Sequence, residues 1–241
     1  MSQPLADTVT ALRGIDHLAI RATDPDELAR FLCDHCGMES TENHEGGAVL
    51  AAPGGTTRLF LSRAENSPNP GVLQRVVLRV SDLDAALAKL PDRLEVDHVE
   101  PGLAVFQAPQ GLELGLTSVL GGGVDYDIAH VVLRVMNPDE TTLALAELGF
   151  VPSGGALQVA DKHLRLQTGM RSEGENELLD HIGVLVESVE ALKGQALRAG
   201  LQFDELTLAP NKLGIYIRGP ERLRVEYAEH RQPAPAAPSY G

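Results

Sequence analysis

The chain contains no tryptophan and only two cysteines, and aromatic rings make up 4% of its 241 residues. Two cysteines in such a length build no disulfide framework. Basic residues are also scarce. Against 34 Asp and Glu there are 20 Lys and Arg, a formal charge of −14, with no cluster of five or more basic side chains. That balance repels phosphate backbones and anionic lipid, so nucleic acid and membrane surfaces are excluded as partners. Long apolar runs are missing too: the longest are strand-sized, such as Arg75–Val80, against the roughly 20 residues of a membrane span. The start, Met1-Ser-Gln-Pro-Leu-Ala-Asp7, lacks the basic and apolar regions of a signal peptide. A soluble cytoplasmic protein is the expectation. GxGxxG, P-loop, GxSxG and HExxH patterns are absent, which removes the commonest nucleotide-binding, hydrolase and zinc-protease readings.

What the chain does contain is one pattern written four times. Asp16-His17-Leu-Ala-Ile-Arg, Gln74-Arg75-Val-Val-Leu-Arg, Ala129-His130-Val-Val-Leu-Arg and Asp180-His181-Ile-Gly-Val-Leu align, with positions 17, 75, 130 and 181 spaced by 58, 55 and 51 residues. Each apolar, β-branched run reads as a buried strand. Seven residues on stands Asp24, Asp82, Asn137 or Ser188, a residue type whose side chain accepts an unpaired N–H at a helix start. An acid stands two positions later, where the helix dipole favours it, and Pro25 and Pro138 fit the first helical position. Gly37, Pro91, Gly149 and Gly200 mark the helix ends. Turn signals divide the rest of each copy into short strands, in the last copy about 201–206, 212–218 and 222–228. The unit is therefore β-α-β-β-β, repeated four times in an α+β chain. The glycine-rich connection at 120–126 divides it into domains at 14–120 and 127–229, and the Pro/Ala-rich residues 230–241 read as a disordered tail.

Eight histidines carry the remaining signal, three of them opening a repeat. Alternate strand residues share a face, so His181, Gly183 and Leu185 point away from Ile182, Val184 and Val186. A polar His opposite an apolar row lines the concave side of a sheet. If the two halves of the second domain pair their sheets, His130, His181 and Glu226 converge. Two imidazoles and a carboxylate leave several metal positions open, as in non-haem Fe(II) oxygenases; Mn(II), Zn(II) and Ni(II) suit the same donors. In the first domain Arg75 replaces the second His and Gly115 aligns near the Glu position, with Glu113 two residues earlier. That cup reads as a degenerate metal site or a cavity wall. Cys33-Asp-His-Cys36 falls inside a predicted helix without a second cysteine pair and reads as packing. His35, His44, His98 and His230 read as surface residues.

Taken together, these residues resemble the vicinal oxygen chelate superfamily of glyoxalase, bleomycin-resistance and extradiol dioxygenase proteins, over about residues 14–229. The resemblance implies four βαβββ modules forming two tandem glyoxalase-like domains. It is nearest to the two-domain extradiol ring-cleavage dioxygenases. Their ligand pattern falls on His130, His181 and Glu226, their acid/base histidine on His163, and their terminal tyrosine on Tyr216 of Ile215-Tyr216-Ile-Arg-Gly-Pro220-Glu-Arg-Leu-Arg-Val-Glu226. A further family histidine before that tyrosine has no counterpart in Thr207–Lys212. What the resemblance implies is an enzyme holding Fe(II), with Mn(II) as the alternative, that takes a catecholic substrate and O2. His163 would shuttle a proton and Tyr216 would hydrogen-bond a substrate oxygen. A metal-dependent isomerase or lyase of the same superfamily, or a binding protein without turnover, uses the same cup. Exposed module edges are compatible with a homo-oligomer, and no residue decides it.

Overall fold

Four short polar side chains start the four helices. Asp24 accepts the N–H of Glu27 at 3.0 Å, Asp82 that of Ala85 at 2.9 Å, Asn137 that of Glu140 at 3.2 Å and Ser188 that of Ala191 at 3.2 Å. Each is worth about 1 kcal/mol to its helix. Pro25 and Pro138 stand in the first turn, as their fixed φ and missing N–H allow.

The computed structural model describes residues 11–118, 123–170, 174, 176–198, 200–209 and 212–230, which fold as four βαβββ modules. The first comprises β1 (Leu12–Ala22), α1 (Pro25–His35), β2 (Glu39–His44), β3 (Gly47–Ala51) and β4 (Arg58–Arg63). The second has β5 (Leu73–Val80), α2 (Leu83–Leu87), β6 (Val96–Glu100), β7 (Leu103–Gln107) and β8 (Glu113–Ser118). In the third are β9 (Ile128–Val135), α3 (Pro138–Glu147), β10 (Val151–Ser153), β11 (Ala156–Val159) and β12 (Lys162–Thr168). The fourth is β13 (Leu179–Val186), α4 (Val189–Arg198), β14 (Phe203–Ala209), β15 (Lys212–Arg218) and β16 (Arg224–His230). The last strand begins two residues later than its sequence suggests, because Pro220–Arg222 make a 3-10 turn closed by Gly219 N–H on the Leu223 carbonyl. His230 thus belongs to β16, and the remainder of the expected tail, 231–241, lies outside the described residues. No helix among the described residues is long and apolar enough to cross a membrane.

The modules form two eight-stranded sheets, and their pairing crosses the division drawn at 120–127. The outer sheet, β14-β15-β16-β13-β1-β4-β3-β2, joins the fourth module to the first; the inner sheet, β10-β11-β12-β9-β5-β8-β7-β6, joins the third to the second. A repeat pattern defines each unit but leaves the choice of partner open. Partner choice depends on side chains facing each other across the seam of first strands. In the outer seam His17 opposes Gly183 and His181 opposes Ala19, so each ring meets a small residue. In the inner seam Arg75 opposes Val132 and His130 opposes Val77.

Core-facing residues of both sheets, including Leu18, Ile20, Val76, Leu78, Val131, Leu133, Ile182 and Val184, make one continuous buried cluster with the helices. Alternation puts His17 and His181 on the opposite face of the outer sheet, and Arg75 and His130 on that of the inner sheet. Cys33 and Cys36 are free thiols at the end of α1, and burial pushes the Cys36 pKa up to about 12. An inert packing role is the consequence.

Candidate metal centre

β1 and β13 lie antiparallel at the middle of the outer sheet, and His17 and His181 face its concave side from either strand. The ring of His17 lies against the backbone of Gly183, where a side-chain carbon would come within 2.2 Å of its Cε1. Only glycine permits that approach. Glu226 comes from β16, whose parallel register sets it beside Gly183. One ligand atom each from His17, His181 and Glu226 lies within 4.8 Å of the others, and all three residues are buried.

Carboxylates immediately before each histidine fix the donor chemistry. Asp16 Oδ2 lies 2.9 Å from His17 Nδ1, and Asp180 Oδ2 lies 2.7 Å from His181 Nδ1. Arg58 grips both oxygens of Asp16 at 2.7 and 2.6 Å, while Arg21 and Arg224 hold Asp180. Burial works against the charge of both aspartates, but these hydrogen bonds outweigh it and hold both pKa values below the ordinary one, Asp16 well below. Each ionised carboxylate makes Nδ1 the donor and leaves the Nε2 lone pair facing inward. The two Nε2 atoms are 2.9 Å apart, and Glu226 Oε2 lies 3.4 Å from that of His181 and 4.0 Å from that of His17.

Two lone pairs and a carboxylate so close require a cation between them. A proton on His181 is one answer: burial opposes it, yet Asp180 and Glu226 raise the pKa above its ordinary value. A divalent metal is the other. Ligands at right angles on a metal with bonds of about 2.1 Å stand about 3 Å apart, so the spacing and the donor set both fit.

Phe60 takes the place of a fourth donor. It pairs with Ala19 on β1 as Glu226 pairs with Gly183 on β13, two residues past each histidine. Its ring stacks on His17 with centroids 4.1 Å apart. Tyr216, on β15, puts its hydroxyl 3.2 Å from Glu226 Oε2 and 3.5 Å from His181 Nε2. Burial and the neighbouring Glu226 push its pKa up, which keeps the phenol protonated. Next to Asp180 a cavity of about 320 Å³ is rimmed by Arg21, Arg218, Arg222 and Arg224. Asp180 engages Arg21 and Arg224, whereas Arg218 and Arg222 make no ion pair among the described residues.

Of the residues expected from sequence, His181, Glu226 and Tyr216 come together here. His130 and His163 do not: they are register partners on β9 and β12 of the inner sheet. The expected trio assumed that the third and fourth modules share a cup, and they lie in different sheets. His17 takes the place beside His181 and Glu226 that the sequence reading gives to His130. A signal for it stood in the sequence, since Asp precedes His17 and His181 alike, while Ala129 precedes His130 and Gln74 precedes Arg75. Gly183 and Phe60 had no such signal, because their roles depend on which strand lies alongside.

The sequence model of the Glyoxalase/Bleomycin resistance protein/Dioxygenase superfamily matches residues 14–108, most of the first two modules. No curated protein sequence matches the chain. Glyoxalase I from Zea mays superposes with a TM-score of 0.71 at 15% identity, over 90% of this chain and 92% of that one. A Bacillus subtilis protein described as a candidate dioxygenase gives 0.68 at 17% identity, over 92% and 87%. The cppA protein of Streptococcus pneumoniae gives 0.64 at 12% identity, over 90% and 99%. At such identities the likeness is one of fold.

Proposed function

We propose that this protein is a metal-dependent ring-cleavage dioxygenase of the vicinal oxygen chelate superfamily, acting on a catecholic substrate that carries an acidic group. The observation that carries the reading is the donor set: two imidazoles and one carboxylate, with the apolar Phe60 where a fourth donor would stand. Three protein ligands leave room for two vicinal oxygens and for O2, and this set suits Fe(II), with Mn(II) next. When bound by His17, His181 and Glu226, the metal would supply Lewis acidity and a common template for both reactants.

The remaining chemistry belongs to the chain. Asp16 and Asp180 hold both imidazoles in the Nδ1–H tautomer. Tyr216 keeps a proton on its phenolic oxygen, within reach of a substrate oxygen beside Glu226. Phe60 and the burial of the trio limit water at the centre. Arg218 and Arg222 give an acidic substituent a place to dock, which orients the ring relative to the metal.

One observation favours a second reading, a metal-dependent isomerase or lyase. His163, to which the resemblance gives proton transfer in ring cleavage, stands on the inner sheet, and Tyr216 is the side chain whose hydroxyl reaches both His181 Nε2 and Glu226 Oε2. Anaerobic reconstitution with Fe(II), and then O2 uptake with carboxylate-bearing catechols, separates the two. Uptake coupled to a yellow ring-fission product is the expected result. Bound iron without uptake across such a panel would leave the isomerase reading in its place.

A further inference from the structure

The inner sheet repeats the geometry of the metal centre with the charge inverted. By register, Arg75 stands where His17 does, His130 where His181 does, Arg165 where Glu226 does and Gly115 where Phe60 does. We infer that this second concave face is a binding site for a small organic anion, a carboxylate on an apolar body.

Four observations carry it. His130 is 7% exposed and its Nε2 has no hydrogen-bond partner among the described residues, a costly state for a buried polar atom. It lacks the carboxylate that orients His17 and His181, so nothing prepares it as a metal ligand. Second, two guanidinium groups flank it. Arg75 uses Nε to reach Glu113 at 2.6 Å, which leaves its terminal nitrogens to another acceptor. Arg165 has a loose contact with Glu100 at 3.6 Å between half-exposed side chains, which contributes little. Third, the face has an apolar floor of its own: Val77, Leu103, Val105 and Val132 form a buried cluster separate from the main core. Finally, a cavity of about 440 Å³ opens alongside, lined by His163, Arg165, Gln167 and the β10–β11 hairpin. The surroundings fit the role: burial, then Arg165, His163 and Arg75, lower the His130 pKa to about 4, so the imidazole is neutral, and its unpartnered Nε2 can carry a hydrogen that donates to an anion. Two guanidinium groups and this N–H match a carboxylate, and the valine floor matches a ring or alkyl body.

The test is a titration of the metal-loaded full-length protein with benzoate, read from the ring-proton NMR signal of His130, which is assigned by its loss in His130→Gln. Benzoate is expected to shift that signal, and the affinity read from it should fall at least about tenfold in Arg165→Gln. Arg218→Gln, at the rim of the other cup, should leave it unchanged. Arg165 is half-exposed, so its replacement keeps the test usable if Arg75→Gln fails to fold. An unmoved His130 signal at millimolar benzoate, or equal affinity in Arg165→Gln, would overturn the site. Inorganic phosphate acting as strongly as benzoate would overturn the apolar body.

Discussion

The rings of His17 and Phe60 lie face to face, their planes 8° from parallel. Phe60 holds the position on β4 that Glu226 holds on β16, so a packing contact replaces a donor. Phe60→Glu is therefore expected to add a fourth ligand. The metal should resist a competing chelator more strongly, while any turnover that needs the open position falls. Unchanged chelator competition would contradict the assignment.

Replacing His17 and replacing His130 should have different consequences. His17→Ala is expected to lose most bound metal, because two donors remain, whereas His130→Ala should keep wild-type stoichiometry. Elemental analysis of both proteins decides between the trio seen in the fold and the one expected from sequence.

Asp180 touches no ligand-binding atom yet orients His181 and is itself held by Arg21 and Arg224. Asp180→Asn should lower metal affinity by roughly 10- to 100-fold, as loss of such a partner does elsewhere. Circular dichroism should show the fold retained; affinity equal to wild type would mean that the carboxylate does not tune His181.

Protons and metal compete for His181 Nε2. Burial opposes the imidazolium, but Asp180 and Glu226 raise its pKa above 6.5 in the metal-free protein. Metal affinity should thus climb as pH rises through that raised value and then level off. Stability of the metal-free protein carries the opposite sign: the contribution of His181 is complete below 6.5 and is lost as pH rises through the folded pKa. A plot of chelator competition and of apo-protein Tm against pH tests both slopes, and a Tm contribution from His181 that grows between about pH 6 and 8 would be the wrong sign.

Lys162 and Asp127 form a buried ion pair at 2.5 Å, with side chains 1% and 4% exposed. Lys162→Met removes one charge and leaves the other in the interior. A loss of about 3 kcal/mol is expected, read by urea denaturation. Asp127→Asn with Lys162→Met should recover part of it, and full stability of the single variant would argue against the pair.

The sequence made the module legible and left the assembly hidden. Capping by Asp24, Asp82, Asn137 and Ser188 is local chemistry, readable from three neighbouring residues, and the fold uses all four. His181, Glu226 and Tyr216, which the fold brings together, are legible because each can be placed within a single module. The choice between His17 and His130 depends on whether the fourth module meets the first or the third, which sequence alone leaves open. The contacts that accompany that choice, Gly183 and Ala19 facing two imidazole rings, join residues 166 and 162 positions apart, which no periodicity encodes.

The nesting of the sheets also orders events in time. The second and third modules are neighbours along the chain, and their sheet closes through a short connection; the first and fourth must meet around them. Long-range closure of that kind is slow compared with local pairing. During synthesis, His17 leaves the ribosome early and waits until β16 has been made before its partners exist. Any metal capture by the trio then has to await the docking of the last module, and a chain stalled before Glu226 lacks one of the three donors.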